Sequence, residues 1–306
     1  MGKINTVAGE ILGEQLGITY SHEHLITHPP KFVIDEDPDL HLDDIEKAVK
    51  ELEYFSMAGG NAIVEMTTID YGRDIDALRI IAARVSAHII VPTGFLKGLY
   101  HEPLVRDKTI NQLADVMIGE VTEGIDGSVV KAGVIKAGSG QNNISEEEYK
   151  VFKAAAQAQC ATGAAISTHT QAGTMGLEQV KILLSEGVKP ERVIIGHLDR
   201  NLDWRYHLAL ANQGVYLMYD HLSKEHYFPD RLRIEFIMRL IKEGFGKQIL
   251  LSGDFGRKSY WTTQNGGPGF TYILWRFIPW LRKEGVSQNQ IDDMLVNNPR
   301  TVLEIS

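Results

Sequence analysis

Two histidines stand two residues apart, His22 and His24, at the end of the run TYSHEHL. If that run is a strand, residues i and i+2 share a face, so both imidazoles project the same way and could hold one metal ion. The same arrangement, an apolar run closed by a titratable side chain, recurs down the chain. VIKAG carries Lys136, AISTHT carries His169, VIIGH ends on His197 and ILLSGD ends on Asp254. Imidazole with carboxylate is the donor set of zinc and related divalent ions. Each residue alone reads as an ordinary polar strand end. The coincidence of six at the same end of separate strands is what points to a site.

Lys136 raises its own problem. An ammonium beside two divalent ions is repelled by them. It stays only as a neutral amine, or as the carbamate formed with carbon dioxide, whose negative charge and two oxygens suffice to bridge two ions. On a strand, Lys136 shares a face with Ala132 and Val134, while Lys131, Gly133 and Ile135 take the other.

Stepping from these residues to the elements that must hold them, eight strand-like runs are legible: 17–24, 61–68, 88–94, 129–138, 164–170, 192–197, 214–220 and 248–254. Helical patterns lie between them. DDIEKAVKELEYF has acidic residues in its first turn, and Ser145 with Glu148 forms a capping box before KVFKAAAQAQ. TMGLEQVKILLSEG ends at Gly187, and PDRLRIEFIMRLIKEG opens on a proline. Alternation of strand and helix predicts a parallel sheet, and eight strands over this length predict a single (β/α)8 barrel, residues 1–306. SQNQIDDMLVNNPRTVLEI would add a C-terminal helix. An open doubly wound sheet fits less well, since no G-x-G-x-x-G turn follows the first strand. In such barrels chemistry gathers at the C-terminal strand ends, where these six residues lie.

The bulk numbers exclude several classes. A net charge of −9 argues against a nucleic-acid binder, which needs a basic face. No apolar window reaches the ~18 residues of a membrane span, and residues 1–20 lack a secretory signal pattern. The single cysteine, Cys160, fits a reducing, cytoplasmic setting; within AAAQAQCATG it reads as buried or inert. The aromatic run FTYILWRFIPWL (270–281) reads as a core helix, with a subunit contact as the other reading.

In this order and with these flanks, the residues resemble the phosphotriesterase family of the amidohydrolase superfamily. The likeness runs from INTVAGEILGEQLGITYSHEHL through KAGVIKAGSG, ISTHTQAGTMGLEQV, VIIGHLD and ILLSGDFGR to the C-terminal segment. It implies a binuclear site in which His22, His24 and Asp254 serve the more buried ion and His169 and His197 the more exposed one. Lys136, as a carbamate, would bridge them. The metal expected is zinc, with manganese, cobalt or iron as substitutes. The resemblance implies attack by a hydroxide held between the ions, with Asp254 as general base and His221 and Asp199 as an outward proton relay. Such proteins are often dimeric, so a homodimer is the expected assembly.

Specificity in such barrels lies in the loops after strands 3, 7 and 8. Here these carry Lys97, Lys224, Arg257 and Lys258, with Tyr100 and Tyr227. Cations and phenols suit a hydroxylated or anionic substrate better than an alkyl chain. A lactonase acting on polar sugar lactones, phosphorylated ones among them, is the expected activity. Phosphotriester hydrolysis is the nearest alternative, and a silent metal-binding barrel or a Schiff-base lysine at position 136 are the others.

Overall fold

A computed structural model describes residues 2–101 and 104–305, so Glu102 and Pro103, at the end of the expected strand-3 loop, lie outside the described residues. An antiparallel hairpin, β1 (Lys3–Thr6) and β2 (Gly9–Leu12), opens the chain. Then come β3 (Thr19–Glu23), β4 (Ala62–Glu65), β5 (His88–Ile90), β6 (Pro92–Gly94) and β7 (Val134–Ser139). They are followed by β8 (Ile166–Thr170), β9 (Val193–Ile195), β10 (Tyr216–Tyr219) and β11 (Ile249–Leu251). β3 to β5 pair in parallel, as do β6 to β11. β5 and β6 are two halves of one strand broken at Val91, one half pairing back to β4 and the other forward to β7. With that break counted as one strand, the described residues form the expected eight-stranded (β/α)8 barrel.

The seam between β11 and β3 closes without a regular ladder. Ser252 accepts the His22 N–H and donates to the His22 carbonyl, at 2.9 and 2.6 Å, and the Asp254 N–H reaches the same carbonyl at 3.1 Å. The pairing of β3 with β4 also slips between Tyr20 and Glu23. Such an irregularity re-aims side chains at a strand end, and here Tyr20 packs outward against Phe55 while His22 and His24 face the barrel mouth.

Ile4, Leu16, Val302 and Leu303 plug the floor beneath the inward Val64, Val134 and Leu250. The expected C-terminal helix forms as Gln288–Asp292 and Asn298–Leu303, joined through a widened turn. Helix starts agree with the sequence signals: Asp44 caps Ile45–Met57 and the Ser145–Glu148 box caps Glu146–Thr162. Among the described residues no helix is long and apolar enough to cross a membrane.

Three expectations need correction. The fourth strand begins at Val134, not 129, because 129–133 approach β1 and the helix Ile110–Thr122 instead: Ala132 N–H bonds to the Glu120 carbonyl. Cys160 is exposed, since its alanine-rich helix turns that edge to solvent. In 270–281 the core reading holds for Ile273, Phe277, Ile278 and Leu281, but Trp275 is 56% exposed.

Candidate metal centre

His22, His24, Lys136, His169, His197 and Asp254, drawn from five strands, line one cleft at the C-terminal mouth, a cavity of about 240 Å³. Their backbones are specialised for it. His197 and Asp254 hold φ of 54° and 47°, a left-handed conformation uncommon for non-glycine residues and concentrated at functional sites. Gly94 (φ 97°) lets β6 approach β7, since a Cβ there would sit 2.1 Å from the Lys136 carbonyl oxygen.

Hydrogen bonds behind the rings decide which nitrogens face the cleft. Asp220, fully buried, accepts from His22 Nδ1 at 2.9 Å with one oxygen and from His197 Nδ1 at 3.0 Å with the other. Burial pushes its carboxyl up, but His197, His22 and His221 together outweigh burial and hold it well below the usual carboxylate range. It therefore only accepts, so both histidines carry their proton on Nδ1 and present Nε2 lone pairs. Thr67 does the same for His24. Its hydroxyl proton goes to Glu65 in a short hydrogen bond, so its oxygen accepts from His24 Nδ1 at 2.9 Å. A histidine whose rear nitrogen is tied in this way is what metal sites need.

The cleft-facing side of this arrangement is incomplete as protein alone. His24 Nε2 and Asp254 Oδ1 lie 3.3 Å apart, and His22 Nε2 is 3.7 Å from the same oxygen. These are acceptors facing an acceptor. Lys136 Nζ is fully buried with no hydrogen-bond partner, and burial lowers its pKa to about 8 although Asp220 and Asp254 oppose this. An orphaned buried amine is costly. Burial, then the nearby Lys136, push His22 down to about 3, which keeps it a neutral donor. Ligand atoms of His22, His24 and Asp254 lie within 4.8 Å of one another, as do those of His197, His221 and Asp254. The residues fit divalent cations.

A family model described as the phosphotriesterase family matches residues 2–303. The chain belongs to the phosphotriesterase family. It is 35% identical to the phosphotriesterase homology protein of Escherichia coli, over 92% of this chain and 96% of that one. It is 36% identical to a phospho-furanose lactonase of Mycoplasmopsis synoviae, over 97% and 90%. The crystal structure of a lactonase from Listeria monocytogenes superposes with a TM-score of 0.95 at 35% identity, covering 99% of both chains. The family is one of binuclear metal-dependent enzymes, and this phosphotriesterase-family barrel carries the histidine and aspartate groups for it.

The remaining expected residues separate. His221 reaches the cleft, with Nε2 3.4 Å from Asp254 Oδ2 and Nδ1 3.4 Å from Asp199 Oδ1, and Arg233 Nε holds Asp199 at 2.7 Å. Lys97, Tyr100, Lys224, Tyr227 and Arg257 line the mouth. Lys224, however, donates to Asp254 at 2.7 Å, and Arg257 is paired with Asp37 at 2.6 Å. Lys258 is off the cleft, paired with Asp43 at 3.1 Å, where it braces the loop after β3. Several residues went unread in the sequence. Asp220 closes VYLMYD just as the other site residues close their runs. Glu23 buttresses the turn bearing Asp254, accepting from Gly253 N and Phe255 N at 2.7 and 2.9 Å, with Ser252 Oγ 2.8 Å away. Arg200 lines the mouth with its guanidinium 3.4 Å over the Tyr227 ring. Among the described residues it has no carboxylate partner.

Proposed function

We propose that the protein is a two-cation hydrolase, in one barrel domain and a reducing cytoplasm, that opens polar sugar lactones bearing an anionic group. The observation that carries the substrate half is Arg200, a cleft-lining guanidinium stacked on Tyr227 and free of any acidic partner among the described residues. Every other mouth cation is tied: Lys97 to Gln171, Lys224 to Asp254 and Arg257 to Asp37. A stacked guanidinium with open donors suits a phosphate or carboxylate. Tyrosines 71, 100, 227 and 260 around it suit a ring with hydroxyls, and a cavity of about 240 Å³ favours a compact ligand over a long acyl chain. The lactone class is supported by the names of the relatives.

His22, His24 and Asp254 would hold the more buried ion, and His169 and His197 the more exposed one. Lys136 would reach both as a carbamate, which also accounts for its orphaned amine. When bound, two divalent cations, zinc foremost, supply Lewis acidity for the carbonyl and make a water acidic near neutral pH. The chain's own groups then manage the proton. Asp254 takes it from the attacking water, and His221 carries it from Asp254 to Asp199, a buried carboxylate held by Arg233. Burial and Lys224 lower the His221 pKa, but Asp199 and Asp220 outweigh them and raise it, as suits a group that must become cationic in passing.

The test is a panel of lactones in phosphorylated and unphosphorylated pairs, run on metal-loaded protein. The expected result is kcat/KM at least tenfold higher for the phosphorylated member. Equal rates, or a preference for long acyl lactones, would contradict the reading. A neutral phosphotriester offers Arg200 nothing, so its turnover is expected only as a slow side activity.

A further inference from the structure

The loop after β6 and the loop after β8 meet at a single side-chain oxygen. Lys97 Nζ donates to Gln171 Oε1 at 2.6 Å, and the same oxygen lies 2.9 Å from His169 Nε2. An ammonium has only protons to offer, so Lys97 decides which end of the Gln171 amide turns inward: the oxygen. An amide oxygen only accepts, so His169 carries its proton on Nε2 and donates it. Nδ1 is left with a lone pair, aimed at His197 Nε2 2.8 Å away. That nitrogen also presents a lone pair, because Asp220 fixes the His197 proton on Nδ1. Two lone pairs at this distance repel. A cation facing both would relieve them.

We propose that Gln171 is a positioning residue that couples the substrate-loop lysine Lys97 to the cation position between His169 and His197. The inference rests on the metal reading above and adds a link from the substrate loop to the metal. Lys97 orients Gln171, and Gln171 fixes the tautomer of His169. Gln179 steadies the same ligand from behind, donating to the His169 carbonyl at 2.9 Å. An anion that draws Lys97 away frees the amide to turn, so anion binding and affinity for the outer cation are linked, each changing the other by the same factor.

Metal retention reads this without turnover. Wild-type, Gln171→Leu, Gln171→Glu and Lys97→Met proteins are loaded with zinc, dialysed against graded amounts of a weak chelator, and analysed for zinc per chain. Circular dichroism of each metal-free protein reports the fold. Gln171→Leu removes the acceptor and is expected to release one of two ions about 10- to 100-fold more readily. Gln171→Glu still accepts from both neighbours and keeps both ions, so loss in Gln171→Leu with retention in Gln171→Glu assigns the effect to the acceptor oxygen. Lys97→Met loosens the same ion by a smaller factor although it touches no ligand, while Lys258→Met leaves retention unchanged. Wild-type retention in Gln171→Leu and Lys97→Met overturns the inference and leaves the metal reading intact. Equal loss in Gln171→Glu and Gln171→Leu also overturns it. A wild type that binds no divalent ion overturns both, and Lys97→Met decides alone if Gln171→Leu does not fold.

Discussion

His24 Nε2 and Asp254 Oδ1 stand 3.3 Å apart with no proton available between them. Thr67 takes the His24 proton at the far nitrogen, and Asp254 is held as a carboxylate, burial being outweighed chiefly by the Lys224 ammonium. Such a contact is tolerable in a folded core only if something positive occupies it. Metal stripping is therefore expected to lower the melting temperature. A ligand at a hundred times its Kd stabilises by about 2.7 kcal/mol, so a fall of several degrees, reversed by adding zinc, is the expected calorimetric result. An unchanged melting temperature after stripping would count against the site.

Lys136→Ala should lose metal and with it most of the activity, with partial recovery in formate, acetate or propionate, which replace the missing carbamate oxygens. Borohydride with substrate should trap nothing on the wild type. Full activity in Lys136→Ala would end the bridging role.

Asp220 touches no cleft ligand atom, yet it sets two tautomers at once. Asparagine has one acceptor oxygen where two are needed, and its amide end would offer protons to a ring that must donate. Asp220→Asn is expected to weaken metal binding or activity about 10- to 100-fold, read by chelator titration. Wild-type affinity would show that the two histidines need no buttress.

Arg200→Met tests the anion subsite. A hydrogen bond to a charged group contributes about 1.5–3 kcal/mol, so kcat/KM on a phosphorylated lactone should fall about 10- to 150-fold. The unphosphorylated partner should change little. A uniform loss on both would make Arg200 structural.

The acid limb of stability has a source outside the metal centre. His207 is buried, with Nε2 donating to the Asn201 carbonyl at 2.6 Å and Nδ1 2.7 Å from the Tyr219 hydroxyl. Burial lowers its pKa from 6.5 to about 4, opposed by the Asn201 carbonyl. The folded state thus binds the proton more weakly than the unfolded chain. The stability is fully present above 6.5 and is lost as pH falls towards 4, at up to about 1.4 kcal/mol per pH unit. Urea unfolding of metal-free wild type and His207→Leu at pH 7 and pH 5 should show a shallower pH slope in the variant. Equal slopes would contradict the assignment.

Much of this was legible because each barrel strand is an apolar run ended by a polar side chain, and strand ends in this fold share one mouth. The same signal was present at Asp220 and passed over, because its work is done at the rear of the rings and strand-end position alone does not separate ligand from buttress. Glu65, inside the apolar run AIVEM, was a similar unread signal. Charges in loops behaved differently. Lys224, Arg257 and Lys258 are basic in sequence, but their partners, Asp254, Asp37 and Asp43, lie on other elements. Arg200, next to a site aspartate, is the mouth guanidinium with no acidic partner among the described residues. Gln171 was invisible for the same reason, since nothing local shows that the loops after β6 and β8 meet. Cys160 sits in an alanine-rich helix with little difference between its faces, so its exposure could not be read.

Anomalous scattering at the zinc absorption edge, from crystals of zinc-loaded protein, tests the central claim most directly. Two peaks in the cleft are expected, one against His22, His24 and Asp254 and one against His169 and His197, with density extending from Lys136 Nζ to both. An empty cleft, or a lone peak away from these nitrogens with a bare lysine, would contradict it.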